Sequence, residues 1–279
     1  MVTSPNSDAV VVDHYGNGGV EERILGALRA AGKDIEHLAA DDIADMDEFH
    51  LGWRAMTAEL ARDLGLDATQ RVLDVGSGIG GPARYFASAH GCSVTGVDLT
   101  QEYVAVATSL SARCGLSHLV SFLQASALAL PLEDRVFDAA TLIHVGMNIA
   151  DKRQVFAEVH RVLKPGARFG IYDIMQLAEG ELTYPLPWAV DGRTSFVERP
   201  QEYRRLLEDS GFEVLSETNR RQPVLALADR MRAAAVQQGT AVRGLPVLMG
   251  PAGPERLGNV MAPLHAGIIA PIQLVAVAR

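Results

Sequence analysis

Residues Val72 to Pro82 read VLDVGSGIGGP, and this stretch decides the fold of the chain. An apolar run containing Asp74 leads into glycines at positions 76, 78, 80 and 81, and then into Pro82, which suits the first turn of a helix. Glycine permits positive φ and a close approach of backbone to ligand, and a helix N-terminus offers free N–H groups. The stretch therefore predicts a strand, a tight loop and a helix start that bind a nucleotide, the alternative being a plain strand-to-helix turn.

Two acidic residues bear on which nucleotide binds there. The loop formally matches G-x-G-x-x-G through Gly76, Gly78 and Gly81, a pattern that suggests a dinucleotide. Asp74, however, would repel a pyrophosphate, whereas it could counter the cationic amino-acid end of S-adenosylmethionine (SAM). Asp98 ends the run SVTGVD and could hold the ribose hydroxyls of either SAM or NAD. SAM is therefore the expected cofactor, with an NAD-dependent oxidoreductase as the distant alternative.

The composition predicts a globular protein with a small-molecule partner. Of 279 residues 48% are hydrophobic, and the formal net charge of −9 disfavours a nucleic-acid surface. Cys92 and Cys114 suggest neither a disulfide framework nor a metal site, and no metal is expected. We see no signal peptide and no apolar run long enough for a membrane span, which predicts a cytoplasmic protein without a membrane partner. The sequence leaves open whether the protein forms a homo-oligomer.

From Arg71 onward strands alternate with helices, which predicts an α/β fold with a parallel sheet wound on both sides. The expected strands are 72–75, 93–97, 120–124, 137–144, 168–173, 212–218 and 272–277, the last forming an antiparallel edge. Ligands of such sheets bind beyond the carboxyl ends of the strands. We divide the chain into an N-terminal arm and helical lid (1–65), a core (66–176), a cap insertion (177–198) and a C-terminal part of the core (199–279) with a helical insertion (222–262).

Four motifs together identify a resemblance: VLDVGSGIGGP, VTGVDLT, ALPLEDRVFDAA and RVLKPG resemble the class I SAM-dependent methyltransferases. The form GIGGPAR is similar to that of sterol, tocopherol and small-amine methyltransferases. HYGNGGVEERIL, DEFHLGW, HVGMNI, YPLPWA and QLVAVAR resemble the sarcosine/dimethylglycine N-methyltransferase type. The resemblance implies a doubly wound, seven-stranded Rossmann-like sheet and SAM as cofactor, with S-adenosylhomocysteine (SAH) as product.

The resemblance also implies which residues bind the cofactor. Asp98 would bind the ribose diol, and Ser126 stands where the family usually has Asp. A serine hydroxyl accepts from the adenine amino group more weakly than a carboxylate does. The other cofactor contacts implied by the resemblance are Tyr15, Asp74, Gly76, Ser77, Gly78, Leu99, Ala125 and His144.

The acceptor is predicted from the same resemblance to be a small amine such as sarcosine or dimethylglycine. His144 follows the fourth strand and is the candidate catalytic residue, and Arg54 and Arg193 are candidates to hold an acceptor carboxylate. The substrate and lid residues are His50, Trp53, Tyr184 and Trp188. The alternatives are O- or C-methylation of a natural product, and a SAM-binding protein without catalysis.

Overall fold

The structure, a computed structural model, describes residues 18–238 and 252–279. Its strands are β1 (Arg71–Val75), β2 (Ser93–Asp98), β3 (Val120–Gln124), β4 (Phe137–Ile143), β5 (Leu163–Gln176), β6 (Phe212–Asn219) and β7 (Ile269–Ala278). They form one seven-stranded sheet in the order β3-β2-β1-β4-β5-β7-β6. The strands β1 to β5 pair in parallel, whereas β7 is antiparallel to both β5 and β6. The predicted α/β fold class is confirmed.

The prediction that the last strand forms the edge of the sheet is wrong. β7 lies between β5 and β6, so that β6 is the edge strand. The burial of the two strands gives the reason. β7 reads IAPIQLVAVA and is buried along nearly its whole length, as suits a strand in the interior of a sheet. β6 reads FEVLSETN and leaves most of its side chains at least partly exposed, as an edge strand can.

β5 begins earlier than the sequence predicted. The sequence Leu163-Lys164-Pro165-Gly166 ends the preceding helix, as expected, but the strand already includes it. Leu163 pairs with Phe137, and the next pair is Arg168 with Ala139, so the residues between them bulge out of the ladder. A bulge accommodates Pro165 because the proline has no N–H to contribute to the pairing.

Nine helices of four or more residues occur in the described ranges. They are α1 (Val20–Ala30), α2 (Ala44–Asp47), α3 (Trp53–Leu64), α4 (Gly81–His90), α5 (Gln101–Arg113), α6 (Lys152–Val162), α7 (Pro200–Asp209), α8 (Arg221–Gln238) and α9 (Gly253–Ala266). The Asp151 carboxylate accepts from the Gln154 N–H at 3.0 Å and caps α6, as its sequence predicted. In the described part of the chain, no helix combines the length and apolarity needed to cross a bilayer.

The N-terminal helices are packed onto the nucleotide-binding edge of the sheet. The apolar side chains of α1, including Ile24 and Leu28, form one buried cluster with Ile79 of the glycine loop and with Leu110 of α5. The Glu102 carboxylate, in the first turn of α5, also accepts from the backbone N–H groups of Gly18 and Val20. This packing places the segment between α2 and α3 over the ends of the central strands.

Candidate cofactor and acceptor site

A cavity of about 350 Å³ opens at the carboxyl ends of the parallel strands. Residues from four consecutive strand ends line it, as the sequence led us to expect for this edge. They are Asp74, Gly76, Ser77 and Gly78 after or at the end of β1, Asp98 and Leu99 at β2, Ala125 and Ser126 after β3, and His144 after β4. The structure thus brings most of the predicted cofactor residues together, whereas Tyr15 lies outside the described residues.

At the end of β1, Asp74 presents a carboxylate oxygen to the cavity. Its Oδ1 accepts from the Thr141 hydroxyl at 2.7 Å, and its Oδ2 has no partner among the described residues. Burial raises the pKa of Asp74 to about 7, although the Thr141 hydrogen bond lowers it. The buried Ser77 hydroxyl also lacks a partner within the described ranges. An acceptor and a donor placed in this way fit the ammonium and carboxylate of the methionine end of SAM.

Asp98 joins the glycine loop to the end of β2. Its Oδ2 accepts from the Gly78 N–H and its Oδ1 from the Thr100 N–H, both at 2.8 Å. Burial raises the pKa of Asp98 despite these backbone hydrogen bonds. The Thr100 side chain and the Leu99 backbone also contribute hydrogen bonds to this carboxylate, so ribose hydroxyls would share or replace part of these contacts.

The next strand edge offers a pocket for a flat ring. Leu99, Tyr103, Ala125 and Leu128 line this end of the cavity together with Ser126. The Ser126 hydroxyl accepts from the Leu128 N–H at 3.3 Å, which closes a short turn at the end of β3. The apolar walls can sandwich an adenine, with Ser126 at the edge of the ring.

Two glycines let the loop approach its neighbours closely. Gly76 has φ +73°, and a Cβ there would lie 2.2 Å from Cγ2 of Val145, which follows His144. A Cβ at Gly81 would lie 2.2 Å from the carbonyl oxygen of Asp47. The loop is therefore fitted against both the end of β4 and the end of α2.

Two imidazoles, those of His50 and His144, line the same cavity with their ring centroids 5.7 Å apart. His144 has φ +53°, and its backbone N–H donates to the Tyr172 carbonyl at 2.7 Å. Its ring stacks on the Tyr172 ring with the two centroids 5.3 Å apart. Its Nε2 has no partner among the described residues. Burial, and secondly the charge of His50, hold the pKa of His144 well below its usual range. His144 is therefore neutral at neutral pH.

A buried network of charges beneath His50 was missed by the sequence analysis. Glu48 accepts from His50 Nε2 at 2.7 Å, from the Thr57 hydroxyl at 2.6 Å and from Arg54 Nε at 2.6 Å. The neighbouring Asp47 pairs at 2.8 Å with Arg84, which is fully buried on α4. The signal that could have revealed the network is DEFHLGW, in which two acids directly precede apolar residues and a histidine.

The far wall of the cavity is mainly apolar. It consists of Met147 after β4, Pro187 and Trp188 of the 177–198 segment, and Leu257 and Val260 of α9. Trp188 is buried and donates its indole N–H to the Ser195 hydroxyl at 3.0 Å. These side chains enclose a space that the strand-end residues do not fill.

Some expected acceptor residues do not reach this space. Trp53 begins α3, and Tyr184 packs half-buried against the neighbouring apolar cluster, so neither lines the cavity. Arg54 and Arg193 are paired with Glu48 and Asp191 instead. Arg256 of α9 does line the cavity, although the sequence offered no motif around it.

Comparisons with known proteins agree with this geometry. The profile of the family described as "Methyltransferase domain" matches residues 73–171, from β1 into β5. Methyltransferase GfsG of Streptomyces halstedii is 31% identical over 222 residues, 77% of this chain and 79% of the relative. Methyltransferase phqN of Penicillium fellutanum is 32% identical over 163 residues, 56% of this chain and 50% of the relative. A sterol 24-C-methyltransferase of Gibberella zeae is 37% identical over 114 residues, 41% of this chain and 30% of the relative. The chain thus spans half the length of the Penicillium protein and less than a third of the Gibberella protein.

Solved structures share the fold over nearly the whole chain. The cyclase SpnF has a TM-score of 0.67 at 24% identity, covering 99% of this chain and 97% of its own. A provisionally assigned sarcosine dimethylglycine methyltransferase of Galdieria sulphuraria has a TM-score of 0.66 at 19% identity, covering 93% and 98%. A geranyl diphosphate methyltransferase solved with sinefungin has a TM-score of 0.70 at 18% identity, covering 98% and 99%. At these identities the likeness concerns the fold alone.

The strand-end carboxylates and the glycine loop fit SAM, and the family profile covers the strands that carry them. The identity to GfsG extends over 79% of that relative, well beyond this core. The chain belongs to the class I SAM-dependent methyltransferases.

Proposed function

We propose that the protein transfers the methyl group of SAM to a small molecule bound between His144 and the apolar wall formed by the 177–198 segment and α9. The observation that carries this proposal is the shape of one cavity. It joins the strand-end carboxylates Asp74 and Asp98 to the side chains of Trp188 and Val260. A cofactor and an acceptor can therefore lie in contact within one enclosed space.

The order of the strands gives the cofactor a direction. β2 and β3, with Asp98 and Ser126, lie on one side of β1, and β4 with His144 lies on the other. Adenine and ribose over β2 and β3 would place the methionine end at Asp74 and the methyl group toward β4. The cavity wall on the β4 side is the apolar one, which is where an acceptor would meet the methyl group.

The chemistry asked of the protein is mainly positioning. The sulfonium already activates the methyl group, so the protein must align the acceptor and exclude water, and such alignment is worth about 7–11 kcal/mol. The low pKa of His144 keeps its ring neutral. A neutral imidazole can accept a hydrogen bond from an acceptor without placing a second positive charge beside the sulfonium.

The wall favours an apolar acceptor with a hydroxyl or an enolic carbon over a small amine. A methylated ammonium is stabilised by aromatic faces, each worth about 0.5–2 kcal/mol. Of the three aromatic residues expected to provide them, Trp188 lines the cavity, whereas Trp53 and Tyr184 do not. Met147 and Leu257 offer an ammonium only aliphatic surface, and the cation of Arg256, which also lines the cavity, would repel it.

An amine of the sarcosine or dimethylglycine type is the second candidate. The sequence pieces that resemble such enzymes support it, and so does Arg256, which lines the cavity and could pair with the carboxylate of an amino-acid acceptor. The fold does not decide between the two candidates, because one fold serves many acceptors.

The test is product mass spectrometry with methyl-deuterated SAM and a panel of phenols, enolic compounds, sarcosine, dimethylglycine and ethanolamine derivatives. We expect a phenol or an enol to gain the labelled methyl group. We also expect Trp188→Ala to raise the acceptor KM while the SAM dissociation constant stays the same. Labelling of sarcosine or dimethylglycine alone would replace the apolar acceptor by the amine and leave the SAM site intact.

A further inference from the structure

A second buried cluster of polar side chains lies against the loop that follows β4. Asp173 of β5 and Tyr203 of α7 are both fully buried. The Tyr203 hydroxyl donates to Asp173 Oδ2 at 2.6 Å, and the Ile174 N–H donates to Asp173 Oδ1 at 2.9 Å. Neither Asp173 nor Tyr203 lines the cavity. The cluster can therefore act on the site only through the residues that it holds.

The loop after β4 rests directly on this cluster. Gly146–Asn148 form one turn of 3₁₀-helix in the loop. A Cβ at Gly146 would lie 2.4 Å from Asp173 Oδ2 and 2.4 Å from the Tyr203 hydroxyl oxygen, so no side chain fits between loop and cluster. Burial raises the pKa of Asp173 to about 6, and hydrogen bonds from Tyr203 and from the Met147 backbone lower it. The carboxylate is thus mainly ionised at neutral pH and binds the loop backbone.

Met147 is held from its other side as well. Its carbonyl accepts from the Phe196 N–H at 2.7 Å, so both polar groups of the Met147 backbone are paired. Lys152 Nζ, which lies 5.6 Å from the centroid of the Tyr203 ring, donates to the Phe196 carbonyl at 2.7 Å. Groups from β5, from α6 and from the 177–198 segment therefore fix the position of Met147.

The face of the loop that is turned from the cluster forms part of the cavity. Val145, Met147 and Ile149 line the cavity together with His144. A Cβ at Gly76 would lie 2.2 Å from Val145, so the loop starts against the glycine loop and continues into the far wall. Methyl transfer needs the attacking atom in line with the carbon–sulfur bond, and a misplacement of about 1 Å can cost a hundredfold in rate. The position of this loop therefore bears on the reaction.

We propose that Asp173 and Tyr203 are positioning residues for methyl transfer, which hold the loop of residues 145–149 so that its cavity face aligns the acceptor with the methyl group. The inference rests on the proposed function and assigns the alignment to a cluster that does not touch the substrate. Changes in the cluster should alter kcat and the acceptor KM. They should leave SAM binding nearly unchanged, because Asp74 and Asp98 have their hydrogen-bond partners elsewhere.

The first experiment measures hydrogen exchange in the ligand-free protein. The amides of residues 145–149 should exchange roughly tenfold faster in Tyr203→Phe than in the wild type, because the carboxylate that binds the loop loses a hydrogen bond. The amides of β1 should keep their rates. Ser210→Ala, which removes a hydroxyl hydrogen bond at the other end of α7, is the matched control and should leave the loop unchanged.

Unchanged exchange in the loop of Tyr203→Phe, or equal acceleration in the loop and in β1, would overturn the proposal. The comparison requires no bound cofactor and no turnover. If no compound of the acceptor panel is methylated, the proposed function fails, while the exchange rates still decide whether the cluster holds the loop.

The second experiment uses the acceptor that the panel identifies. Tyr203→Phe should lower kcat roughly tenfold and raise the acceptor KM, with the SAM dissociation constant within about twofold of the wild-type value. Ser210→Ala should change none of the three. A Tyr203→Phe protein that is less stable but keeps the wild-type kcat and acceptor KM would make the cluster purely structural and would contradict the proposal.

A third variant perturbs the same contact from the side of the loop. Gly146→Ala should reproduce the kinetic changes of Tyr203→Phe, because its methyl group would push the loop off the oxygens of Asp173 and Tyr203. Gly26→Ala, on α1, is the control, since a Cβ there would meet nothing within 4 Å. A wild-type kcat and acceptor KM in Gly146→Ala would show that the seating of the loop on the cluster does not align the acceptor.

Discussion

Asp47, Asp74 and Asp98 all line the cofactor cavity, and their charges bear directly on which ligands it accepts. SAM carries a sulfonium and an ammonium against one carboxylate, so it is a net cation, whereas the pyrophosphate of NAD is an anion. Burial raises the pKa of Asp47 to about 6 and that of Asp74 to about 7. A cationic ligand favours the ionised form of each, which makes SAM binding and proton release linked events.

Asp98→Ala should weaken SAM binding roughly ten- to hundredfold. The carboxylate would lose charge-assisted hydrogen bonds to the ribose, which contribute about 1.5–3 kcal/mol. Titration calorimetry measures the dissociation constant, and thermal unfolding checks that the fold survives. Asp229→Ala, at an exposed position on α8, is the matched control. A dissociation constant unchanged by Asp98→Ala would place the ribose elsewhere.

SAM affinity should fall as the pH drops below about 7. In the free protein Asp74 holds its proton below its raised pKa of about 7, and the ammonium of SAM must displace that proton to meet a carboxylate. The dissociation constant should therefore rise by up to about tenfold per pH unit below 7 and level off above it. In Asp74→Asn the slope should be reduced. An equally steep slope in that variant would assign the proton to another group.

The site residues that the sequence predicted belong to short local motifs, whereas those it missed depend on partners far away in the chain. Asp74 and Asp98 stand at fixed offsets from a glycine loop, so a short stretch of chain identifies them. Glu48 acts only through partners brought together by folding, and an acidic run ordinarily predicts a solvated surface. The partner of Asp47, Arg84, lies 37 residues away and reads as an ordinary residue of an amphipathic helix. No local sequence pattern predicts the pairing of Asp47 with Arg84.

The glycine loop shows how one element is fitted to its neighbours. Gly76 and Gly115 have nearly the same φ, +73° and +69°, but a Cβ would collide with Val145 at the first and meet nothing within 4 Å at the second. An alanine at either position would adopt a similar positive φ, but only at Gly76 would it also clash with a neighbour. Comparing the two substitutions therefore distinguishes backbone strain from the steric clash.

Gly76→Ala should abolish SAM binding, whereas Gly115→Ala should leave it unchanged. Both variants incur a left-handed backbone cost of about 1–2 kcal/mol, and only the first also displaces the loop. Calorimetry and thermal unfolding measure the two effects. Adding Val145→Ala to Gly76→Ala should recover part of the affinity. Equal effects of the two single substitutions would show that the contact with Val145 is unimportant.

The 177–198 segment is attached to the site by a buried lysine. Lys152 Nζ donates to the carbonyl oxygens of Ile149 at 2.9 Å and Phe196 at 2.7 Å, and the Phe196 N–H donates to the Met147 carbonyl at 2.7 Å. This attachment joins the end of the segment to the loop after β4, which carries His144 and Met147.

Lys152→Met should lower the free energy of unfolding by about 1–3 kcal/mol because two buried carbonyls lose their donor. Lys164→Met is the control. Lys164 forms a half-exposed ion pair with Asp138, and such pairs are worth about 0–1 kcal/mol. Urea unfolding of both variants compares them. A loss for Lys152→Met no larger than that of the control would mean that water or a neighbouring group satisfies the carbonyls.

Much of the whole architecture could be predicted because periodicity and turn residues are local. The alternation of strands and helices after Arg71 predicted a parallel sheet, and β1 to β5 do pair in parallel. The place of β7 could not be found in this way. β7 comes last in the chain but pairs with β5 and β6, which lie earlier in the sequence. Such a long-range pairing has no local sequence pattern. The wall proposed to hold the acceptor likewise has no local signature, since it combines Met147, Trp188 and Leu257 from three distant segments.

Every role proposed for the strand-end residues depends on SAM binding in this cavity. Calorimetric titration of the purified protein with SAM, SAH and NAD tests this claim directly. We predict that SAM and SAH each bind at one site per chain, and that NAD does not bind at the same concentrations. Binding of NAD with no heat from either SAM or SAH would contradict the account.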